Sequence, residues 1–262
     1  MSIDRCGGRW KRGMQLARIH LEPVGGVAGD MLLAALCDLG AETRLIRRAF
    51  ASLQIPRLRL STRRVRIQGE RALAVRSIPG RDNPDHGHLD EILALITGAE
   101  ASPRAKKLTR RIFRLLAAAE GRVHGHAAQH VHLHEVGQLD SILDVFGIAV
   151  ALDVLGAPRV TCAPLPVGSG TVETRHGILR CPVPVVREIA SRWRVPLVDI
   201  PGIGETVTPT GIAVLAAVCH RFGRSMLRRP VAVGVGAGTR RFEDLPNVLR
   251  AYGSMERCQN KQ

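Results

Sequence analysis

An apolar run, Leu16 to Leu21, leads into the glycine-rich turn Gly25-Gly26-Val27-Ala28-Gly29 and then into a stretch with helical spacing from Asp30 to about Leu39. Strand, glycine turn and helix in that order restrict a chain to a few layered arrangements, because the helix must fold back over the strand it leaves. The opening predicts an α/β fold.

The rest of the chain fits this frame. From Arg57 to Ile78 apolar and charged residues roughly alternate (Leu58, Leu60, Val65, Ile67, Leu73, Val75), the period of a half-buried antiparallel pair. Helices are predicted near Leu89 to Ile96, over Pro103 to Arg122 with a core stripe through Leu108, Ile112 and Leu116, and over Leu139 to Leu155, stopped by Gly156 and Pro158. Residues 157–211 carry many Pro and Gly, which predicts turns and short strands around brief helices, the kind of ordered loop region that hosts sites. A last helix is predicted from Thr208-Pro209-Thr210 to Gly223, then a strand at Val231 to Val235 and an apolar stretch at Val248 to Tyr252. The expected fold class is therefore α/β, a mixed sheet with flanking helices and a Pro/Gly-rich loop region, over 14–252. A break between two subdomains is expected near 157, with a disordered extension at 1–13 and a polar tail at 253–262.

Composition narrows the function classes. In 262 residues the apolar share is 45% and the aromatic share 3%, so Leu, Val, Ile and Ala must build the core, and stacking platforms for single-stranded nucleic acid are scarce. The net charge of +15 is mostly arginine spread from Arg5 to Arg257, which fits an anionic partner as well as a simple preference for arginine over lysine. Six cysteines without a C-x-x-C pair argue against a disulfide scaffold, and Cys37 and Cys219 lie in apolar patterns that read as helical. No stretch approaches the length of a membrane span, and Met1 to Gly13 is basic without an apolar core, so a cytoplasmic protein is expected.

The sharpest local signal is His124, His126, His130, His132 and His134, with Glu135, Asp140 and Asp144 after them. In an extended stretch His130, His132 and His134 point to one side. Asp140 and Asp144, four apart on the following helix, share a face with Gly147 and Ala151; their mutual repulsion turns favourable when a cation sits between them or an arginine caps them. Imidazole with carboxylate suits Zn²⁺, Ni²⁺, Co²⁺ or Fe²⁺ rather than Ca²⁺ or Mg²⁺. His132, His134, Glu135, Asp140 and Asp144 are the candidate metal ligands, and His86 with His88 forms a second, smaller pair.

Anion-handling candidates are glycine turns. The turn holding Gly25, Gly26 and Gly29 precedes a helix, where free N–H groups attract anions, although Asp30 at that helix start is most commonly a cap. Gly168-Ser169-Gly170-Thr171, Thr208-Pro209-Thr210-Gly211 and Gly234-Val235-Gly236-Ala237-Gly238-Thr239-Arg240 offer hydroxyls or arginine beside glycine, and each is equally explained by a tight turn. Gly25, Gly26, Gly29, Ser169, Thr208, Thr210 and Arg240 are the candidate cofactor-binding residues, and Asp30 and Glu135 the candidate catalytic acids. No G-x-S-x-G or hydrolase triad is present.

Pro23-Val24-Gly25-Gly26-Val27-Ala28-Gly29-Asp30-Met31, Val131-His132-Leu133-His134-Glu135-Val136-Gly137 and Asp140-Ser141-Ile142 with Asp144 are, in order and spacing, similar to the LarC family of nickel insertion proteins. So are Pro164 to Gly170, His176 to Leu179, Val207 to Gly211, Gly236 to Arg240 and Leu245 to Arg250, so the resemblance runs from about Leu16 to Tyr252. It implies a nickel chelatase that places Ni²⁺ into the anionic pyridinium-3,5-bisthiocarboxylic acid mononucleotide, giving the nickel-pincer cofactor of lactate racemase. CTP with a divalent cation is implied as the nucleotide. Glu22 stands where the family usually has Asp, and of the histidine-rich run before Leu89 only His86 and His88 appear. The family's C-terminal domain, seat of nucleotide binding and assembly, is not found after Tyr252, so a separate C-terminal polypeptide is the expected partner. The rival readings are a basic nucleic-acid-binding protein and a metallochaperone or zinc-dependent hydrolase built on the same histidine and acid cluster.

Overall fold

The computed structural model describes residues 15–78, 87–133, 137–174, 177–200, 202–225, 227 and 229–255. Strand β1 (Arg18–Pro23) is followed by helices α1 (Gly29–Leu39) and α2 (Thr43–Ala51), the hairpin β2 (Arg59–Ile67) and β3 (Glu70–Ile78), and helices α3 (Leu89–Gly98), α4 (Pro103–His124) and α5 (Leu139–Val154). The Pro/Gly-rich part forms the short strands β4 (Arg159–Cys162), β5 (Leu165–Gly168), β6 (Thr171–Thr174) and β7 (Gly177–Arg180), helix α6 (Pro184–Trp193) and β8 (Leu197–Ile200). Helix α7 (Pro209–Val218) and strands β9 (Cys219–Phe222), β10 (Ala232–Ala237) and β11 (Val248–Ser254) complete the order.

A seven-stranded mixed sheet runs β2-β3-β10-β11-β1-β4-β9, and so takes strands from both sides of residue 157. β1, β4 and β9 are parallel; β11 lies antiparallel to both β1 and β10, and β10 is parallel to β3. Hence β1, β3 and β10 point the same way, and their carboxyl ends share one edge of the molecule. In such sheets ligands bind beyond the carboxyl ends of the strands.

The α/β class and the mixed sheet with flanking helices are as the sequence predicts. Helix α1 is apolar nearly all round, with Met31 to Leu36 buried, because it lies between the sheet and α5. The glycine string before Arg240 makes that packing close: a Cβ on Gly236 would stand 2.0 Å from the Met31 carbonyl oxygen, and one on Gly234 2.3 Å from that of Ala35. Those glycines therefore lie in strand β10 and admit the α1 backbone, rather than forming a turn around an anion. Gly147 plays the same part on α5, where a Cβ would lie 3.0 Å from a Leu33 methyl and 3.1 Å from the Phe50 ring.

Two expectations are corrected. The last helix stops at Val218 rather than Gly223, and Cys219 opens strand β9 instead of sitting in a helix. Residues 210–217 are buried on every side, so no stripe marks where the helix ends, and β4 offers backbone partners that draw the next residues into the sheet. His130, expected in an extended run with His132, instead closes a 3-10 turn over Ala128–His130. Helix α2 was not foreseen, although Ile46, Ala49 and Phe50 carry the i, i+3, i+4 signature of its buried face.

Candidate functional site

Beyond the carboxyl ends of β1, β3 and β10 opens a cleft of about 640 Å³. Its walls are the first turns of α1, α5 and α7, the last residues of β3 (Val75 to Ile78) and Thr239 just after β10. Among the sequence candidates Gly29, Asp30, Asp140, Asp144, Thr208 and Thr210 face it. Residues from Ala28 to Thr239 meet here because β1, β3 and β10 end at one edge, where α1, α5 and α7 also begin.

The carboxylates form the cation-binding half of the chemistry. Asp30 and Asp140 each stand in the first turn of a helix, and each accepts the N–H of the next residue, Met31 and Ser141, at 2.8 Å. Asp144 lies one turn further along α5 and accepts the Ser77 hydroxyl at 3.1 Å. Burial is the main force that lifts the Asp30 carboxyl from 3.8 to about 6; the charge of Asp140 adds to it, while the Met31 N–H and Arg76 oppose it. Asp144 is raised well above its ordinary value, first by burial and then by the charges of Asp30 and Asp140, against the Ser77 hydrogen bond. Asp144 is half-buried, and part of its surface remains accessible from the cleft. Two acids that resist ionising together are stabilised by a proton or a cation.

The same cleft also suits an anion. Ala28 and Gln138 cap α1 and α5 without a side-chain hydrogen bond, and both line the cleft, so the positive ends of two helix dipoles point into it. At α7 the Thr208 hydroxyl accepts the Gly211 N–H at 3.1 Å. Arg76 and Thr239, both exposed, stand at the walls. Smaller recesses of about 220 and 380 Å³ share Thr208 with the cleft and carry Arg240, whose guanidinium donates to the Glu205 carbonyl (2.9 Å) and carboxylate (2.8 Å).

The other candidates fall elsewhere. A Cβ on Gly25 would lie 2.5 Å from Asn247 Cα, and Gly26, at φ 119°, sits 1.9 Å in the same measure from the Thr206 carbonyl oxygen; both glycines serve chain packing under the cleft. Ser169 binds loop backbone, its hydroxyl accepting the Gly202 N–H at 2.9 Å. His132 is bridged to His88, their rings edge to face at 5.1 Å, and does not line the cleft. His134, Glu135 and His86 lie outside the described residues. Among the described residues no three His, Cys, Asp or Glu side chains are arranged to hold a metal ion by themselves. Arg76 and Ser77, at the end of β3, are site residues that the sequence reading did not single out; the alternation of that strand was visible, but not where it ends in space.

No solved structure matches the chain. A protein of Geotalea uraniireducens (strain Rf4) is 42% identical over 233 residues, 88% of this chain and 59% of its own length. One of Geobacter metallireducens is 40% identical over 235 residues, and one of Myxococcus xanthus 41% over 252, covering 60% and 62% of their lengths. Each is named "Putative nickel insertion protein". The chain thus spans about three fifths of the curated relatives it matches. The family model described as nickel insertion protein matches residues 19–262, which include every wall of the cleft, and the chain belongs to that family.

Proposed function

We propose that the cleft is where Ni²⁺ meets its acceptor, the anionic pyridinium-3,5-bisthiocarboxylic acid mononucleotide. The observation that carries this reading is the meeting of Asp30, Asp140 and Asp144 with helix N-termini and Arg76 in one hollow. A site for a cation alone would need no dipole ends, and a site for an anion alone would be spoiled by three acids. A cation being passed to an anionic chelator needs both.

In this reading Ni²⁺ offsets the mutual repulsion of Asp30, Asp140 and Asp144, and the carboxylates hold it loosely as hard oxygen donors. The phosphate and thiocarboxylates of the mononucleotide rest against Arg76, Thr208, Thr210 and the N–H groups of α1 and α5, with Arg240 at the rim. Ni²⁺ then exchanges oxygen for softer sulfur ligands, a downhill step for this metal. His132, His134 and Glu135 supply the route by which the ion arrives. CTP with a divalent cation completes the reaction.

The test is Ni²⁺ titration by calorimetry at pH 7 with the parent chain and with Asp30→Asn combined with Asp144→Asn. The double variant is expected to bind at least tenfold more weakly while keeping its fold by circular dichroism. Equal affinity in a folded variant overturns the assignment.

A further inference from the structure

A second pocket, of about 370 Å³, lies by the amino end of β1, the end away from the cleft. Its walls include Arg18, Arg159, Thr161, His220, Arg221 and Arg224. No Asp or Glu among the described residues lines it. The sheet itself forces this grouping: Arg18 is the partner of Arg159 across β1 and β4, and Thr161 that of Arg221 across β4 and β9. Side chains directly opposite on neighbouring strands are near contact, so like charges there repel.

Several arginines of this chain pair with acids: Arg64 with Asp38, Arg122 with Glu188, Arg240 with Glu205 and Arg250 with Glu70. Among the described residues no carboxylate pairs with Arg18, Arg159 or Arg224. Behind them Thr161 is fixed by His20, whose ring nitrogen lies 2.9 Å from the hydroxyl, and burial keeps that imidazole toward its neutral form. The arginine wall thus stands on a rigid sheet.

We infer that this pocket binds a small polyphosphate anion, the arginines of β1, β4 and β9 gripping at least two linked phosphates. A single phosphate takes one or two guanidinium forks, and four arginines around one hollow match a longer chain of charge. The hollow is concave and no Phe, Tyr or Trp among the described residues lines it, which favours a compact anion over a nucleic-acid strand. The inference does not depend on the nickel reading of the cleft.

The probe is inorganic pyrophosphate, titrated calorimetrically into the full chain at low salt. Pyrophosphate is expected to bind at least tenfold more tightly than orthophosphate. Arg159→Gln combined with Arg221→Gln should weaken it at least tenfold, and Arg44→Gln, exposed on α2, should leave it unchanged. If the double variant does not fold, Arg224→Gln on the exposed loop serves, with a severalfold loss expected. Absence of binding, equal affinity for orthophosphate, or an equal loss in Arg44→Gln overturns the inference. So does an oligonucleotide that binds through these arginines while pyrophosphate does not.

Discussion

Gly29 and Asp144 meet at the point where α1 crosses α5: a Cβ on the glycine would stand 2.9 Å from the Asp144 Cβ and 3.0 Å from its Oδ2. The absence of a side chain at 29 is what brings the buried carboxylate beside Asp30. Gly29→Ala should push the two helices apart and lower stability by about 1–3 kcal/mol, as overpacking does. Denaturant unfolding reads that loss, and nickel titration on the folded fraction should show weaker binding as the acids separate.

Raised carboxyl values make a pH prediction with a definite sign. Asp30 binds a proton more tightly folded than unfolded, so its contribution is fully favourable below pH 3.8 and is lost as pH rises toward about 6. The difference is worth about 3 kcal/mol at most. With EDTA present, stability measured by urea unfolding should therefore fall between pH 4 and 6. In Asp30→Asn that slope should flatten, and in the parent Ni²⁺ at pH 7 should restore stability by occupying the acids. A parent curve that rises through this window would contradict the burial of Asp30.

The histidine run carries a separate expectation. His132 sits on the His88 bridge outside the cleft, so its removal should leave the carboxylate site assembled. His132→Ala combined with His134→Ala should lower the nickel content of the purified chain, measured by elemental analysis, while Asp30 and Asp144 still bind added Ni²⁺ at equilibrium. If nickel content is unchanged, the imidazoles have no part in delivery.

How much of this was legible beforehand differs from element to element. The hairpin of β2 and β3 and the helices α3 and α4 were readable because each has one wet face that sets a period, and α5 through the Gly156 and Pro158 that stop it. Asp140 and Asp144 were found through their i, i+4 spacing, and Asp30 through its place after the glycine turn. Arg76 and Ser77 were not, because their value comes from the register that places β3 beside β10, a non-local fact. Gly234 and Gly236 showed that something approaches closely, but only packing tells whether that is a phosphate or, as here, a helix backbone.

That distinction can itself be measured. Gly236→Ala drives a methyl into the Met31 carbonyl and the Ala35 N–H, backbone atoms that cannot move aside, so a loss of roughly 3 kcal/mol or more, with poor solubility, is expected. Gly98→Ala at the end of α3 meets nothing within 4 Å and should change stability by less than about 1 kcal/mol, in the favourable direction. An anion-binding role for the string would reverse the emphasis, leaving Gly236→Ala folded but deficient in ligand binding.

Thr208 ties the start of α7 to the wall of the cleft. Its hydroxyl accepts the Gly211 N–H at the start of α7, and its backbone N–H donates to the Val27 carbonyl at 3.0 Å, tying α7 to the loop that opens α1. Losing the cap should cost about 1 kcal/mol in Thr208→Ala, and Thr208→Ser should recover most of it. Because Thr208 also lines the cleft, a hydroxyl that touches the acceptor would give a second effect: the mononucleotide should bind more weakly to the alanine variant than its stability loss explains, and serine should restore binding as well. Calorimetry on both variants separates the two effects, and identical affinity in alanine and serine would confine Thr208 to capping.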